Sequence, residues 1–270
     1  MTLVQIHYAL TFDAPFHLGT GISTGMVDRT VIRNADGYLY VPASTLKGVV
    51  REHCEQLYHF YTANDQNQAI SSRVPSPHNA KAALKDFGGP QTLISRIFGS
   101  PLYPGTLRFK NAEQTDINIY ESRDLRNEDK GKYKDMQTSV LTQVRIDRQT
   151  RTAVDQALYT SEFGLSHLTF VGTIKGQLYC TPIDSLKETV HNEEKTYTLT
   201  PSYSLLLLLA GLLLLERIGG NKSTGKGQCS CRIEEVRLDR MLCPEAVWQG
   251  WIQRLDVLSK YSDVQPGGQA

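Results

Sequence analysis

The chain opens with a strict alternation of apolar and polar positions. Val4, Ile6, Tyr8, Leu10 and Phe12 share one face of an extended segment, with Gln5, His7 and Thr11 between them. That period of two predicts a half-buried strand. The period then lengthens: Leu46, Val49, Val50, Leu57 and Phe60 recur at helical spacing, predicting a helix of about four turns with Ser44 as its N-cap. A leucine-dense run, SLLLLLAGLLLLERI from Ser204, predicts a second helix over Thr200–Ile218. Its apolar core, Leu205–Leu215, falls far short of the roughly 20 residues a membrane span needs. It is therefore expected to be a buried helix, with Ala210 and Gly211 permitting close approach of a neighbour.

Strand patterning returns in HLTFVGTIKGQLYC and in Gln228–Leu238, and GTLRFKNAE reads as a short strand ending in turn chemistry. Pro244–Leu258 has the spacing of an amphipathic helix. The resulting order of strands and two well-placed helices predicts an α+β fold, with helices backing an antiparallel sheet in a ferredoxin-like or RRM-like core. One domain over residues 1–270 accommodates it. Two stretches interrupt the pattern. Residues 61–104 are polar and proline-containing, becoming partly helical at QTLISRIFGS, and read as an insertion. The densely charged ESRDLRNEDKGKYK from Glu121 opens an excursion over residues 121–151 that reads as a protruding loop. The QPGGQA tail is expected to fray.

Composition narrows the chemistry. Charged residues are 21% of the 270 and the formal net charge is +1, so basic character must be local rather than global. The five cysteines follow no disulfide framework and MTLVQIHYALTF does not form a signal peptide, which together predict a reducing, cytoplasmic setting and no membrane. Cys229 and Cys231 share a strand face, and His53, Cys54 and His59 form a loose group; neither makes a four-ligand zinc set.

The most local basic feature is GGNKSTGKG at Gly219–Gly227. Gly220, Gly225 and Lys226 fit the P-loop pattern G-x-x-x-x-G-K-[ST], but Gly227 stands where the magnesium-holding hydroxyl belongs. The loop also follows a helix and leads into a strand, the reverse of a P-loop. From Arg217 to Arg232 there is no acid. Gly219, Gly220, Lys222, Gly225 and Lys226 are thus expected to present N–H groups and ammoniums to phosphate, with a nucleotide-binding protein as the outside alternative.

Four segments in order give the chain a recognisable character. These are FHLGTG…MVDRTVIRNADGYLYVPASTLKGVVRE, RIFGSP…GTLRFKNA, VRIDRQTRTA…LYTSEF and the GGNKSTGKG loop with its preceding helix, spanning Phe16 to Arg232. Together they resemble the RAMP superfamily of CRISPR proteins, and within it the repeating backbone subunit of type III effector complexes. The resemblance implies an RNA-recognition-like fold with insertions that binds guide RNA, pairs it with complementary target RNA, and assembles with other effector subunits, copies of itself or related RAMP subunits among them. It implies an endoribonuclease whose Asp precedes the VIR stretch; Asp28 in MVDRTVIR stands there, with a divalent metal, magnesium, as the expected cofactor. Arg29 and Thr30 depart from the small or proline residues usual after that Asp, and PAST replaces the commoner PGSS.

The resemblance also implies roles for other residues. Lys47 and Arg51, four apart on one helical face near a helix start, become binders of the guide backbone, with Arg33 a third. The excursion becomes a hairpin thumb reaching over the guide–target duplex, with Met136, Val140 and Leu141 as its apolar wedge. Two other readings remain open within the same family: a non-cleaving subunit that caps the filament, and a guide-processing ribonuclease relying on histidine, for which His17 is the nearest candidate.

Overall fold

The computed structural model describes residues 2–23, 25–62, 92–100, 104–115, 136–178, 181–191 and 196–261. Most of the 61–104 insertion, the Glu121–Asp135 part of the charged excursion and the QPGGQA tail lie outside the described residues. The alternating N-terminal segment forms β1 (Thr2–Phe12), with Val4, Ile6, Tyr8, Leu10 and Phe12 all buried. β1 lies at the centre of the main sheet. It pairs antiparallel on one side with β10 (Cys229–Leu238) and on the other with β7 (Thr169–Leu178). β7 in turn pairs with β3 (Leu107–Phe109) and β4 (Ala112–Gln114), two halves of one interrupted strand. Short strands close the edges, β11 (Met241–Cys243) beside β10 and β2 (Tyr40–Val41) beside β4. Taken in chain order, the four principal strands β1, β3/β4, β7 and β10 lie in the spatial order 4-1-3-2, all antiparallel. This is the expected α+β, ferredoxin-like arrangement.

Helices cover one face. α1 spans Ala43–Thr62; it begins one residue before Ser44, so Ser44 lies in the first turn rather than at the cap. The Ala43 N–H is instead met by the Asn111 side chain at 2.9 Å, and Leu46 N–H closes on the Pro42 carbonyl at 3.1 Å. Leu46, Val49, Val50, Cys54 and Tyr58 form its buried stripe, while Phe60, expected on that stripe, is 73% exposed. α2 (Leu93–Phe98) is capped by the Thr92 hydroxyl. α3 (Tyr203–Leu213) is the leucine helix, shorter than its apolar run suggested and capped by Ser202. From Ser204 to Leu212 it is buried on every side because α1, α2 and the sheet enclose it. α4 (Glu245–Ile252) continues into a 3-10 turn at Leu255–Lys260.

α1 and α3 meet where a side chain is missing. A Cβ on Gly211 would come within 2.5 Å of Cys54 Sγ and 3.3 Å of the Val50 carbonyl, so the absent Cβ lets the helix axes close. Burial pushes the Cys54 thiol up, keeping it a neutral packing group whose S–H meets the Leu207 carbonyl at 3.4 Å. No helix among the described residues is long and apolar enough to cross a membrane.

Two glycines in helices should therefore respond oppositely. Gly211→Val is expected to destabilise the fold by about 1–3 kcal/mol through overpacking. Gly250→Ala, in α4 with no atom within 4 Å of its added Cβ, should stabilise it by about 0.5–1 kcal/mol through helix propensity. Chemical denaturation of both variants beside the parent chain measures the pair.

Candidate RNA-binding and cleavage site

A two-stranded ribbon stands apart from the main sheet. β5 (Thr138–Ile146) pairs antiparallel with β6 (Ala153–Gly164), and the turn between them is closed by the Asp147 carboxylate accepting from Gln149 N–H at 2.7 Å and by Asp147 N–H to the Thr152 carbonyl at 2.9 Å. Burial along β6 rises from exposed at Ala153 to buried at Phe163 and Gly164. Among the described residues, the ribbon is therefore anchored at its Gly164 end. Sequence periodicity missed it because neither face of its outer half is covered, so neither face carries a continuous apolar code.

The anchor is an aromatic joint. Phe16 and Gly164 exchange two backbone hydrogen bonds, at 3.0 and 2.7 Å. A Cβ on Gly164 would lie 2.4 Å from the Phe16 ring, so glycine is what allows the ribbon to cross that ring. Phe16 stacks on Phe12 at 3.9 Å between centroids, and both rings meet Phe170 edge-on, at 5.7 and 5.8 Å. The ribbon base is thus fixed to the core.

The connection from β1 to β2, residues 13–39 and the first loop of the chain, docks along the same base. The Asp28 and Arg29 N–H groups both reach the Thr160 carbonyl, at 3.0 and 3.2 Å, and Glu162 N–H reaches the Arg29 carbonyl at 2.8 Å. Asp28 Oδ2 accepts from Thr160 N–H at 2.7 Å, while the residue remains exposed. Glu162 ties the assembly together: Oε2 accepts from Val31 N–H at 3.0 Å, Oε1 pairs with the Arg33 guanidinium at 2.8 Å, and its carbonyl meets His17 Nδ1 at 2.8 Å. Burial alone would raise the Glu162 carboxyl. Hydrogen bonds from Val31, Arg33 and Thr138, with the charge of Arg33, more than offset that and hold it below the usual carboxylate range. Arg33, expected at guide RNA, also donates to Gly37 and Thr138; its guanidinium is committed to holding the loop against the ribbon.

The glycine loop closes the other side. Gly219, Gly225 and Gly227 have φ of 99, 78 and 73°, with Asn221 also left-handed at 60°. The N–H groups of Thr224, Gly225 and Lys226 turn back on Asn221 and Lys222; those of Gly220 and Gly227 meet the carbonyls of His17 and Pro15 at 2.9 and 2.8 Å. Of the N–H groups expected as a phosphate cradle, those of Gly225 and Lys226 are consumed in the loop's own turns and that of Gly220 in docking the loop to the start of the first loop. The cationic side chains remain. Lys226 Nζ lies 5.4 Å from the Phe163 ring centroid, whose ring the His17 imidazole meets edge-on at 5.8 Å. Lys226 therefore does gather at the ribbon base with the first loop, with Lys222 on the adjoining turn.

Other expected residues lie elsewhere. Lys47 and Arg51 do share a face of α1, but Arg51 pairs with Glu55 at 2.7 Å and donates to the Gly99 carbonyl at 3.3 Å. Lys47 is half-buried; burial first, and the Arg51 charge second, draw its pKa down. Met136, Val140 and Leu141 are all exposed, but neighbouring strand residues point to opposite faces, so Val140 and Leu141 do not form one wedge. Val140 instead shares a face with Val144 and its cross-strand partner Leu158, 54%, 45% and 69% exposed. This apolar stripe was not expected from sequence. Cys229 and Cys231 point into the core, where burial pushes both thiols up to about 12.

A divalent ion of the magnesium type takes oxygen ligands, several of them commonly water. Asp28 brings one carboxylate, already engaged at Oδ2, and among the described residues no three of His, Cys, Asp and Glu gather closely enough to hold an ion. The described residues do not fit a metal held by the protein alone.

A family model described as the RAMP superfamily matches residues 9–230. Among solved structures the fold is similar to a chain in the cryo-EM structure of the Type III-B Cmr-beta bound to cognate target RNA, with a TM-score of 0.51 and 12% identity over 85% of this chain and 96% of that one. No curated protein matches the sequence.

Removal of the Glu162 carboxylate tests this account of the ribbon base. Glu162→Ala leaves the Arg33 guanidinium and the Val31 N–H without their partner and should cost about 1–3 kcal/mol. Because the carboxyl is held low in the folded chain, its contribution is fully present above the unfolded carboxyl's range and disappears as pH falls through the folded value. Denaturation curves of parent and variant should differ at pH 7 and converge in acid.

Proposed function

The chain belongs to the RAMP superfamily, and from that premise we propose that it is a guide-RNA-binding backbone subunit of a type III CRISPR effector complex that cleaves complementary target RNA. The supporting neighbour comes from a particle bound to cognate target RNA, and the partners follow from the same reading: guide RNA, target RNA and neighbouring effector subunits. The observation that carries the cleavage assignment is the seat of Asp28. Its carboxylate is exposed and fixed by Thr160 at the base of an exposed ribbon.

Chemically, one carboxylate suffices to orient a ribose 2′-hydroxyl and take its proton as the oxygen attacks the adjacent phosphorus. The bond from phosphorus to the 5′-oxygen breaks, that oxygen leaves with a proton from water, and the products are a 2′,3′-cyclic phosphate and a 5′-hydroxyl. The ribbon supplies orientation. The apolar stripe of Val140, Val144 and Leu158 gives unstacked bases a surface, so that one nucleotide is splayed and its 2′-oxygen lines up with the leaving oxygen. Lys222 and Lys226 offer charge to the RNA backbone beside it.

A second reading has one specific observation in its favour. The Asp28 carboxylate accepts from Thr160 N–H, which is also what a purely structural loop aspartate would do, as in a non-cleaving subunit that caps the filament. Asp28→Asn separates the two readings, because the carboxamide oxygen still accepts from Thr160 while the base is lost. In the assembled, guide-loaded complex, Asp28→Asn should bind target RNA normally and cut it more slowly by on the order of 100-fold or more at this subunit's sites. Cutting at the parental rate would assign the carboxylate to structure.

A further inference from the structure

One cation beside Asp28 is held in place without being neutralised. The Arg29 guanidinium lies 5.1 Å from the centroid of the Tyr159 ring on β6. Its backbone is fixed on both sides, N–H to the Thr160 carbonyl and carbonyl to Glu162 N–H. Arg29 is exposed, and among the described residues neither it nor Asp28 takes part in an ion pair. Nearby Arg33 illustrates the alternative, with its charge matched by Glu162. Adjacent residues on one docked loop thus present a carboxylate at Thr160 and an unmatched guanidinium over Tyr159, the neighbouring residue of the ribbon.

We infer that Arg29 is a catalytic residue of this site, contacting the non-bridging oxygens of the scissile phosphate, and that Tyr159 positions it. The inference rests on the proposed cleavage at Asp28 and extends it. When the 2′-oxygen attacks, negative charge accumulates on the non-bridging oxygens before the 5′-oxygen departs. A guanidinium already oriented by an aromatic face meets that charge without reorganising, and its planar fork suits two phosphate oxygens. An aromatic ring holds a cation without cancelling it, which a carboxylate partner would do. The pair divides the work: Asp28 handles the proton, Arg29 the phosphate charge.

The test uses the complete guide-loaded complex, an end-labelled complementary target RNA and single-turnover kinetics. Arg29→Ala should slow cleavage by on the order of 100-fold while target affinity changes by less than about threefold, the ordinary effect of one phosphate contact among many. Arg29→Lys should recover part of the rate. A phosphorothioate replacing one non-bridging oxygen at the scissile position should slow the parent complex and slow Arg29→Ala by a smaller factor, because the contact it perturbs is already gone. Tyr159→Leu should slow the parent but add little in the Arg29→Ala background, the non-additivity expected of a residue acting through another. Asp28→Asn, run alongside, separates the two claims. Loss of cutting in Asp28→Asn with parental rates in Arg29→Ala overturns the role of Arg29 and leaves the cleavage reading intact. Parental cutting in Asp28→Asn, or no cutting by the parent complex, overturns the cleavage reading and the inference with it. An undiminished thio effect in Arg29→Ala also overturns the direct phosphate contact.

Discussion

Everything proposed for this chain depends on a half-buried carboxylate, that of Glu162. The first loop has little regular structure of its own, and among the described residues the ribbon is joined to the core at its base. Glu162 joins the two by accepting from Val31 N–H and from Arg33 while its own carbonyl holds His17. A charge-assisted pair at such a depth contributes little net stability when intact and costs more when one partner is deleted. Its value here is geometric. The pair fixes the loop's register against β6, and that register is what puts Asp28 at Thr160 and Arg29 at Tyr159.

The glycine loop reaches the same place from the far end of the chain. Its left-handed residues fold it back so that Gly220 and Gly227 bond to His17 and Pro15. A Cβ at Gly219 would stand 2.6 Å from the His17 carbonyl oxygen, so the close docking itself demands glycine. The loop's resemblance to a nucleotide cradle comes from this requirement for close backbone approach, which both structures share. What it offers to phosphate is its lysines, with Lys226 resting against Phe163 in the ribbon base.

The sequence revealed most where burial imposes a period. β1 alternates because one face meets the helices, and the leucine helix stands out because it is enclosed on every side; both were predicted, with ends off by a few residues. The 4-1-3-2 sheet order follows once those elements are placed. Periodicity was silent on the ribbon, whose outer half is largely exposed, and on the small sheet of β8 (Glu188–His191) and β9 (Thr196–Leu199). Resemblance singled out Asp28 as a candidate, but said nothing of what it touches: Thr160 lies 132 residues away, and no local rule connects them. Arg33 and Arg51 looked like phosphate ligands because a sequence counts charges without showing which are already paired. Arg29 looked like a mere departure from the family pattern, and only its contact with Tyr159 gives it a use.

On the proposed reading, the loop docked on the ribbon base is where target RNA meets Asp28. A structure of the assembled complex with a target carrying a single 2′-deoxy substitution at the cut site, which blocks the attacking oxygen, tests it most directly. The scissile nucleotide is expected splayed at the ribbon base, with the sugar edge that would bear the 2′-hydroxyl facing the Asp28 carboxylate at about hydrogen-bonding range. A target strand whose scissile phosphate lies well away from that base, with Asp28 still bonded only to Thr160, would contradict it.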